Sequence, residues 1–262
     1  MKMRPSWLAA LLAVPALSSS AGTALAAEEP FLQAALLSHG GASAVSLEST
    51  VVMRGPVKIH FGPMPLEGER IVYRSGRDHL KVVSRVKFRG SPSEFISTLD
   101  GETAWLTFMG KTYDFPTVNA RTDLAHDLEI LQRAAAPGAS VKELGIVTSG
   151  DRRLQGFELT ENGAATKLLF DPETKLLAEM EYKAMEARGE GKSEERVTRK
   201  VFGDYRPHGG APYPHSLTVF KDGVLETEWK IASIERGEPL ELSIFSKPQE
   251  EDERLYSEEF AN

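Results

Sequence analysis

The chain has 262 residues, a formal net charge of −7 and no cysteine. The lack of cysteine excludes disulfide bonds, thiolate nucleophiles and cysteine-ligated metals. The acidic balance argues against nucleic acid and anionic membrane surfaces as partners. The length suits one domain with a sizeable core.

Residues 1–26 have the pattern of a secretory signal peptide. Lys2 and Arg4 supply the positive start, residues 7–17 form a short apolar run, and residues 24–26 read Ala-Leu-Ala, a small-x-small cleavage site. The apolar run is too short to span a bilayer. We therefore expect a periplasmic protein with no integral membrane span, and secretion beyond the cell is the alternative.

A short amphipathic helix is predicted at 29–41, directly after this signal. Phe31, Leu32 and Ala35 fall on one face at helical spacing. Gly40 and the glycine that follows it are typical of a helix end. After this helix the period of the apolar residues changes from 3.6 to about 2, the period of strands.

The segments that follow predict strands joined by short turns. Residues 46–55 and 57–62 are expected as separate strands, and 93–115 as a hairpin that turns at Asp100 and Gly101. Such short connections favour an antiparallel sheet.

One helix interrupts the strands, at 120–136. Leu124, Leu128, Leu131 and Ala135 lie at i, i+4, i+7 and i+11, which places them in a single apolar stripe. The stripe predicts that this helix covers one face of the sheet.

A second series of strands fills residues 141–237. Asn162 and Asp222 each precede a glycine between apolar runs, a strong hairpin signal. Leu225 and Trp229 are expected on one face of the last strand, with charged residues on the other.

The predicted fold class is α+β, with about eleven strands in one large curved antiparallel sheet. A few helices cover this sheet, which is either open and curved or closed into a barrel. Residues 28–248 are expected to form a single domain, and the acidic segment 249–262 a disordered tail.

A curved sheet has a concave side that can be filled by side chains or left open for a ligand. Apolar side chains on that side suit apolar ligands, although each of them is equally typical of an ordinary core. The candidate ligand-binding residues are Val72, Trp105, Phe108, Phe170, Met180, Tyr182, Leu225 and Trp229.

Catalytic and metal-binding signatures are scarce. The sequence has no G-x-S-x-G, S-x-x-K or H-E-x-x-H and no phosphate-binding glycine loop. Asp204, His208 and His215 are close enough in sequence to meet at a metal, as in a metal-assisted hydrolase. They also fit a strand–turn–strand segment with no chemical role. We expect no enzymatic activity, no metal and no cofactor.

The chain resembles the periplasmic carriers of outer-membrane lipoproteins, the LolA/LolB-like family. The segment "ISTLDGETAWLTFMGKTYDF" is similar to a family segment in which Asp-Gly ends a strand and an aromatic strand follows, here with Trp105 and Phe108. The closing "LELSIFSKP" is similar to a terminal Phe-x-x-Pro, here Phe245 and Pro248. The two helices and "LLFDPETKLLAEMEY" also occur in family order.

This resemblance implies an unclosed antiparallel half-barrel with helices as a lid and an apolar interior that holds the acyl chains of lipoproteins or other lipids. It implies a non-enzymatic carrier whose partners are an acyl chain or lipid, or a lipoprotein, and envelope proteins that donate or accept it. An arginine near the second strand helps to hold the family's lid, and here Arg74 or Arg77 lies in that region, with Leu128 and Leu131 on the lid side. An envelope regulatory or protein-interaction module on the same fold is the alternative.

Overall fold

The computed structural model describes residues 25–248. Within that span it leaves out residues 63, 109, 115, 116, 118–120, 123, 125, 126 and 189–191. Residues 1–24 of the predicted signal peptide and the predicted tail therefore lie outside the described residues. No helix in the described part of the chain is long and apolar enough to cross a bilayer.

The strands form one antiparallel sheet of 14 strands, and those at its two ends, β6 and β7, do not pair with each other in the described residues. The half-barrel is therefore unclosed, as predicted. Its order is β6-β5-β4-β3-β2-β1-β13-β12-β11-β10-β9-β8-β7, with β14 also paired to β1. The strands are β1 (Val51–Phe61), β2 (Met64–Ser75), β3 (His79–Phe88), β4 (Ser91–Asp100), β5 (Thr103–Phe108), β6 (Lys111–Asp114), β7 (Val141–Ser149), β8 (Arg152–Glu161), β9 (Ala164–Phe170), β10 (Leu177–Arg188), β11 (Lys192–His208), β12 (Ala211–Lys221), β13 (Val224–Lys230) and β14 (Ser233–Arg236).

The count of 14 corrects the expected eleven. The short strands β6 and β14 lie within predicted strand segments but were not expected as separate strands, and β1 runs straight through Gly55 and Pro56, where a break was expected. Proline is tolerated here because β14 pairs with residues 51–54 and β13 with 57–59, so the missing N–H falls in the gap between them. Residues 46–50, expected as strand, precede the sheet.

The described helices are short and few. The first, α1, packs on one side of the sheet, where Phe31 contacts β8 and β9 and His39 contacts the start of β10. They are α1 (Leu25–Ser38), α2 (Ala42–Val45), α3 (Ile130–Ala134) and a 3₁₀ turn (Leu242–Phe245).

The end of α1 is held close to the sheet. The N–H of Gly41 donates to the carbonyl of Leu36 at 2.9 Å and that of Gly40 to Leu37 at 2.9 Å, a pair of bonds that closes a helix with a left-handed residue. Gly40 has φ +87°, and a Cβ atom there would lie 2.3 Å from the Cβ of Ala211 on β12. Only glycine therefore fits at this contact.

The helix predicted at 120–136 is interrupted. Residues 127–129 form a turn before α3, because the Asp127 carboxylate accepts the N–H of Leu128 at 2.5 Å. The following N–H groups of Ile130 and Leu131 bond three residues back rather than four. The predicted apolar stripe is nevertheless buried throughout: Leu124, Leu128, Leu131 and Ala135.

The predicted hairpin turns are confirmed. Asn162 and Gly163 have φ of 50° and 80°, and Asp222 and Gly223 have 48° and 78°. Both turns join adjacent antiparallel strands with two residues. Positive φ at both central residues is the requirement that selects Asn-Gly and Asp-Gly. Gly101 likewise turns β4 into β5.

A β-bulge in β13 changes the face of Leu225. Val219 pairs with Thr227, but the next residue of β12, Phe220, pairs with Leu225, which leaves one residue of β13 unpaired. An extra residue reverses the alternation beyond it. Leu225 therefore lies on the face of Phe220, opposite Thr227 and Trp229, which corrects the expected arrangement.

The convex face is partly covered by the end of the described chain. Phe245 is fully buried, and its ring lies 5.3 Å from that of His79. The ammonium of Lys81 donates to the carbonyl of Ile244 at 2.9 Å. This segment therefore packs on the convex side of the sheet, whereas α1 and α3 pack on the concave side.

Candidate functional site

The concave face has a covered zone, which lies beneath α1 and α3. The Phe31 ring of α1 lies 5.1 Å from Phe157 and 5.7 Å from Phe170, both fully buried. The zone belongs to one continuous core cluster with side chains of the helices. Its sheet residues are Val72, Phe157, Leu159, Leu168, Phe170, Leu177, Met180, Tyr182 and Trp229.

Beside it the concave face has an open zone of apolar side chains that are only partly buried. Phe95 and Phe108 stack there with ring centroids 4.4 Å apart. At the hairpin ends beyond, Met64 is 48% exposed and Val224 70% exposed. The open zone consists of Ile59, Phe88, Phe95, Phe108, Ala184 and Leu217. It is an apolar surface that the helices leave partly exposed.

Most of the predicted ligand-binding residues lie on this face. One cluster contains Val72, Phe170, Met180, Tyr182 and Trp229, and Phe108 lies in the open zone. Leu225 lies on the opposite face because of the bulge.

Trp105 also lies on the opposite, convex face. It pairs directly with Thr98, which shares a face with Ile96, and Ile96 packs with Val83 in a separate cluster. Directly paired residues project to the same side of a sheet. We therefore leave Trp105 and Leu225 out of the candidate site.

Ion pairs join the sheet to the segment before α3. The Arg74 guanidinium at the end of β2 lies 2.6 Å from the Asp127 carboxylate and is 4% exposed. Arg77, in the next turn, lies 2.7 Å from Glu129 and 3.0 Å from Glu48. Both arginines that the resemblance pointed to therefore contact the helical cover.

Glu129 is the most buried carboxylate in this group, at 2% exposed. It accepts the Leu47 backbone N–H at 3.2 Å as well as the Arg77 guanidinium. Arg133, one turn further along the helix, bonds Glu161 of β8 at 3.0 Å. A buried carboxylate is stable only with such compensation. We call the pairs Arg74–Asp127 and Arg77–Glu129 the latch.

His39 provides a second connection, at the other end of the cover. It is almost fully buried, with Nδ1 2.8 Å from the carbonyl of Ala35. Its Nε2 accepts the backbone N–H of Leu177, the first residue of β10, at 3.2 Å. These bonds require a neutral ring with the proton on Nδ1. Burial lowers the pKa of His39, which favours that neutral form.

The Asp204, His208 and His215 residues are not assembled into a site. Asp204 bonds Arg206 at 2.9 and 2.5 Å, and this hydrogen bond lowers the pKa of its carboxyl. The Nδ1 of His215 lies 2.7 Å from the carbonyl of Ile231. Among the described residues no three His, Asp or Glu side chains are placed to hold a metal ion. The geometry therefore favours the strand–turn–strand interpretation.

The turn in this segment is shorter than expected. β11 continues to His208 and β12 begins at Ala211, so that only Gly209 and Gly210 connect them.

Comparison of the sequence with protein-family models and with curated proteins gives no match. Solved structures do match. A LolA superfamily protein from Nitrosomonas europaea is 12% identical with a TM-score of 0.50, and 84% of this chain and 97% of that chain are covered. A DUF1329 family protein from Desulfovibrio piger is 8% identical with a TM-score of 0.51 and the same coverage.

The fold is LolA-like. A putative outer membrane lipoprotein-sorting protein domain from Vibrio parahaemolyticus also matches, with 10% identity, a TM-score of 0.49, and coverage of 84% of this chain and 96% of that chain. The match to the LolA superfamily protein confirms, at the level of the fold, the resemblance seen in the sequence. The LolA-like half-barrel has its helices on the concave side, where the latch and His39 connect them to the sheet.

Proposed function

We propose that the protein is a non-enzymatic carrier that binds acyl chains or other apolar ligands on the concave face of its half-barrel. The observation that carries this proposal is the continuity of the concave face. A buried apolar zone under the helices adjoins a partly exposed apolar zone, lined by Phe95, Phe108 and Leu217, in one cluster of apolar side chains. A surface of this kind suits a long apolar ligand.

The helical cover explains how a ligand can be enclosed. The covered zone is filled by Phe31 and the α3 side chains, so an acyl chain enters from the open zone and displaces part of this cover. The latch is electrostatic and local, which allows the cover to move without unfolding the sheet. Arg74, Arg77, Leu128 and Leu131 are the residues proposed to hold it closed.

Burial of the ligand supplies the affinity. Each CH₂ transferred from water to an apolar site contributes about 0.8 kcal/mol, so a chain of about 16 carbons contributes on the order of 10 kcal/mol before the costs of binding. No ionised catalytic group is needed for such binding, in accord with the structural position of Asp204 and the two histidines.

The proposed setting is the periplasm, where the signal-like start of the chain would direct it. A lipoprotein or a free lipid would be the cargo, and envelope proteins would donate or accept it. These assignments rest on the LolA-like fold together with the sequence pattern.

The test is lipid analysis of the protein purified from its own host, combined with uptake of a fluorescent acyl probe. We expect co-purified lipid and saturable uptake. Phe108→Asp, which places a charge in the open zone, should abolish uptake. Ile146→Asp, an equally apolar but exposed position on the edge strand β7, should leave it unchanged. Protein that carries no lipid and takes up no probe would contradict the proposal.

A protein-interaction module is the second candidate. It is favoured by the packed state of the covered zone, where Phe31 already occupies the space beside Phe157 and Phe170. In that case chemical cross-linking in the envelope would capture a protein partner. The unmodified protein would take up the acyl probe only at background level, and Phe108→Asp would not change that level.

A further inference from the structure

A hydrogen-bond donor is buried in the apolar concave face without an acceptor. Trp229 of β13 is 4% exposed, and its indole Nε1 has no hydrogen-bond partner in the part of the chain that the structure describes. This N–H group can only donate, and the rigid ring fixes the direction in which it does so. Buried donors are nearly always paired in proteins, so an unpaired one requires an explanation.

The cross-strand neighbours of Trp229 supply no acceptor. It pairs directly with Val57 of β1 and Leu217 of β12, and Leu217 pairs with Phe202 of β11. Directly paired residues project to the same side of a sheet, and these four side chains belong to one apolar cluster. The indole N–H therefore lies in a row whose other side chains are hydrocarbons.

Trp229 lies at the border between the covered zone and the open zone. It belongs to the covered zone, whereas its direct partner Leu217 belongs to the open zone. Ile59 of the open zone pairs with Thr227, which lies two residues before Trp229 on the same face of β13. A ligand that extends from the open zone beneath the cover would therefore pass the indole.

The other unpaired buried atoms carry less information. Six further side chains in the described part of the chain have such an atom: Arg74, Thr98, Glu129, Arg196, His215 and Arg236. All except Thr98 use another polar atom in a hydrogen bond or ion pair. Thr98 lies on the convex face, where it pairs with Trp105. Among these side chains, Trp229 alone presents its whole polar function unpaired on the concave face.

We propose that the indole N–H of Trp229 donates a hydrogen bond to the carbonyl oxygen of a bound acyl group. The inference rests on the proposed carrier function and specifies the ligand atom that lies at the border of the two zones. A hydrocarbon chain has no acceptor, whereas an ester, an amide or a carboxyl group carries one at the head of the chain. Pairing removes the cost of a buried donor without an acceptor, and the bond is strong because water is excluded. The indole therefore stabilises a carbonyl ligand and offers no hydrogen bond to an alkane.

The test compares ligands of one chain length that differ at the head. Methyl laurate, N-methyl lauramide and lauric acid carry the carbonyl, and dodecane does not. Each would compete with a fluorescent acyl probe for the purified, delipidated protein. Trp229→Phe removes the donor and keeps an aromatic ring, so we expect it to weaken the carbonyl ligands about tenfold and dodecane by less than about twofold. Trp105→Phe, on the convex face, is the matched control and should leave all four affinities unchanged.

The indole N–H also gives a direct spectroscopic signal. In the proton–nitrogen correlation spectrum we expect the Trp229 indole resonance to move downfield when methyl laurate binds and to move little with dodecane. The spectrum of Trp229→Phe lacks this resonance and thereby identifies it. The Trp105 resonance should stay in place with both ligands. A tryptophan with a packing role only would respond to the two ligands alike.

The outcomes separate the two proposals. If Trp229→Phe weakens dodecane as much as the carbonyl ligands, or if the indole resonance does not distinguish them, the hydrogen bond is wrong while the carrier function stands. A loss confined to the ester, the amide or the acid supports the hydrogen bond and assigns the carbonyl to that source. If neither the probe nor any of the ligands binds, both proposals fail. Thermal unfolding of each variant confirms that it is folded.

Discussion

The covered and open zones of the concave face belong to one sheet, and β10 contributes Met180 to the covered zone and Ala184 to the open zone. The two zones differ in what packs on them. The Phe31 ring of α1 lies 5.7 Å from the Phe170 ring, whereas Phe108, which stacks on Phe95, stays partly exposed. One sheet thus presents a packed core and a partly exposed apolar surface side by side. The comparison indicates that the position of the short helices helps to decide which part of the apolar face is exposed.

The largest expected contrast comes from a matched pair of substitutions. Phe170→Ala should lower the free energy of unfolding by about 3–5 kcal/mol, because it leaves a cavity in a packed region. Phe108→Ala should lower it by only about 1 kcal/mol, since most of the loss is one aromatic pair. Urea denaturation of both variants measures the difference. Similar losses for the two would remove the distinction between the zones.

The latch should have the next largest effect. Arg74→Met should destabilise the protein by about 2–3 kcal/mol, because the Asp127 carboxylate loses its counter-charge. The Asp127 side chain is 25% exposed, so water compensates for part of the loss. It should also speed the uptake of an acyl probe, since the cover is released.

The control for the latch is an exposed pair. Lys183 and Glu195 are 64% and 58% exposed, so Lys183→Met should change the free energy of unfolding by less than about 0.5 kcal/mol. An equally small effect of Arg74→Met, or unchanged uptake, would show that the ion pair does not hold the cover.

His39 should make stability depend on pH. The pKa of the folded state lies below the ordinary value of 6.5 because the ring is buried, and the facing titratable group, Tyr205, is itself buried. As pH falls below about 6.5 the unfolded chain takes up the proton first, so stability is lost through this window. His39→Gln should flatten the dependence. If the midpoint of thermal unfolding changes with pH equally in His39→Gln and in the unmodified protein, the pH dependence comes from other groups.

The smallest effect is expected at the candidate metal residues. Asp204→Asn removes only an exposed pair with Arg206, so the midpoint of thermal unfolding and the uptake of acyl probes should not change measurably. Metal analysis of the unmodified protein should find no stoichiometric zinc or iron. Stoichiometric metal that is lost in Asp204→Asn would reverse this interpretation.

Features with local causes could be predicted from the sequence. Turns at Asn162 and Asp222 follow from the need for positive φ, and the end of α1 follows from Gly40. The stripe that includes Leu128 and Leu131 predicted burial correctly even though the helix is interrupted. Each of these depends on a few neighbouring residues.

Features that depend on register could not be predicted. Alternation placed Leu225 beside Trp229, but one unpaired residue in β13 reverses its face. Trp105 looked like a concave residue until its pairing with Thr98 was known. Glu129 carries no local signal, because a charge on a helix or turn is most often solvated. Its burial depends on Leu47 and Arg77, both more than fifty residues away in sequence.

The contact between Gly40 and Ala211 anchors one end of the helical cover. A Cβ atom at position 40 would overlap that of Ala211, so this end of α1 lies tightly against β12. The hydrogen bond from the N–H of Leu177 to His39 holds the same end. In the proposed carrier we therefore expect α1 to swing about this end when the cover opens, so that a residue of α1 travels farther the more distant it is from Gly40.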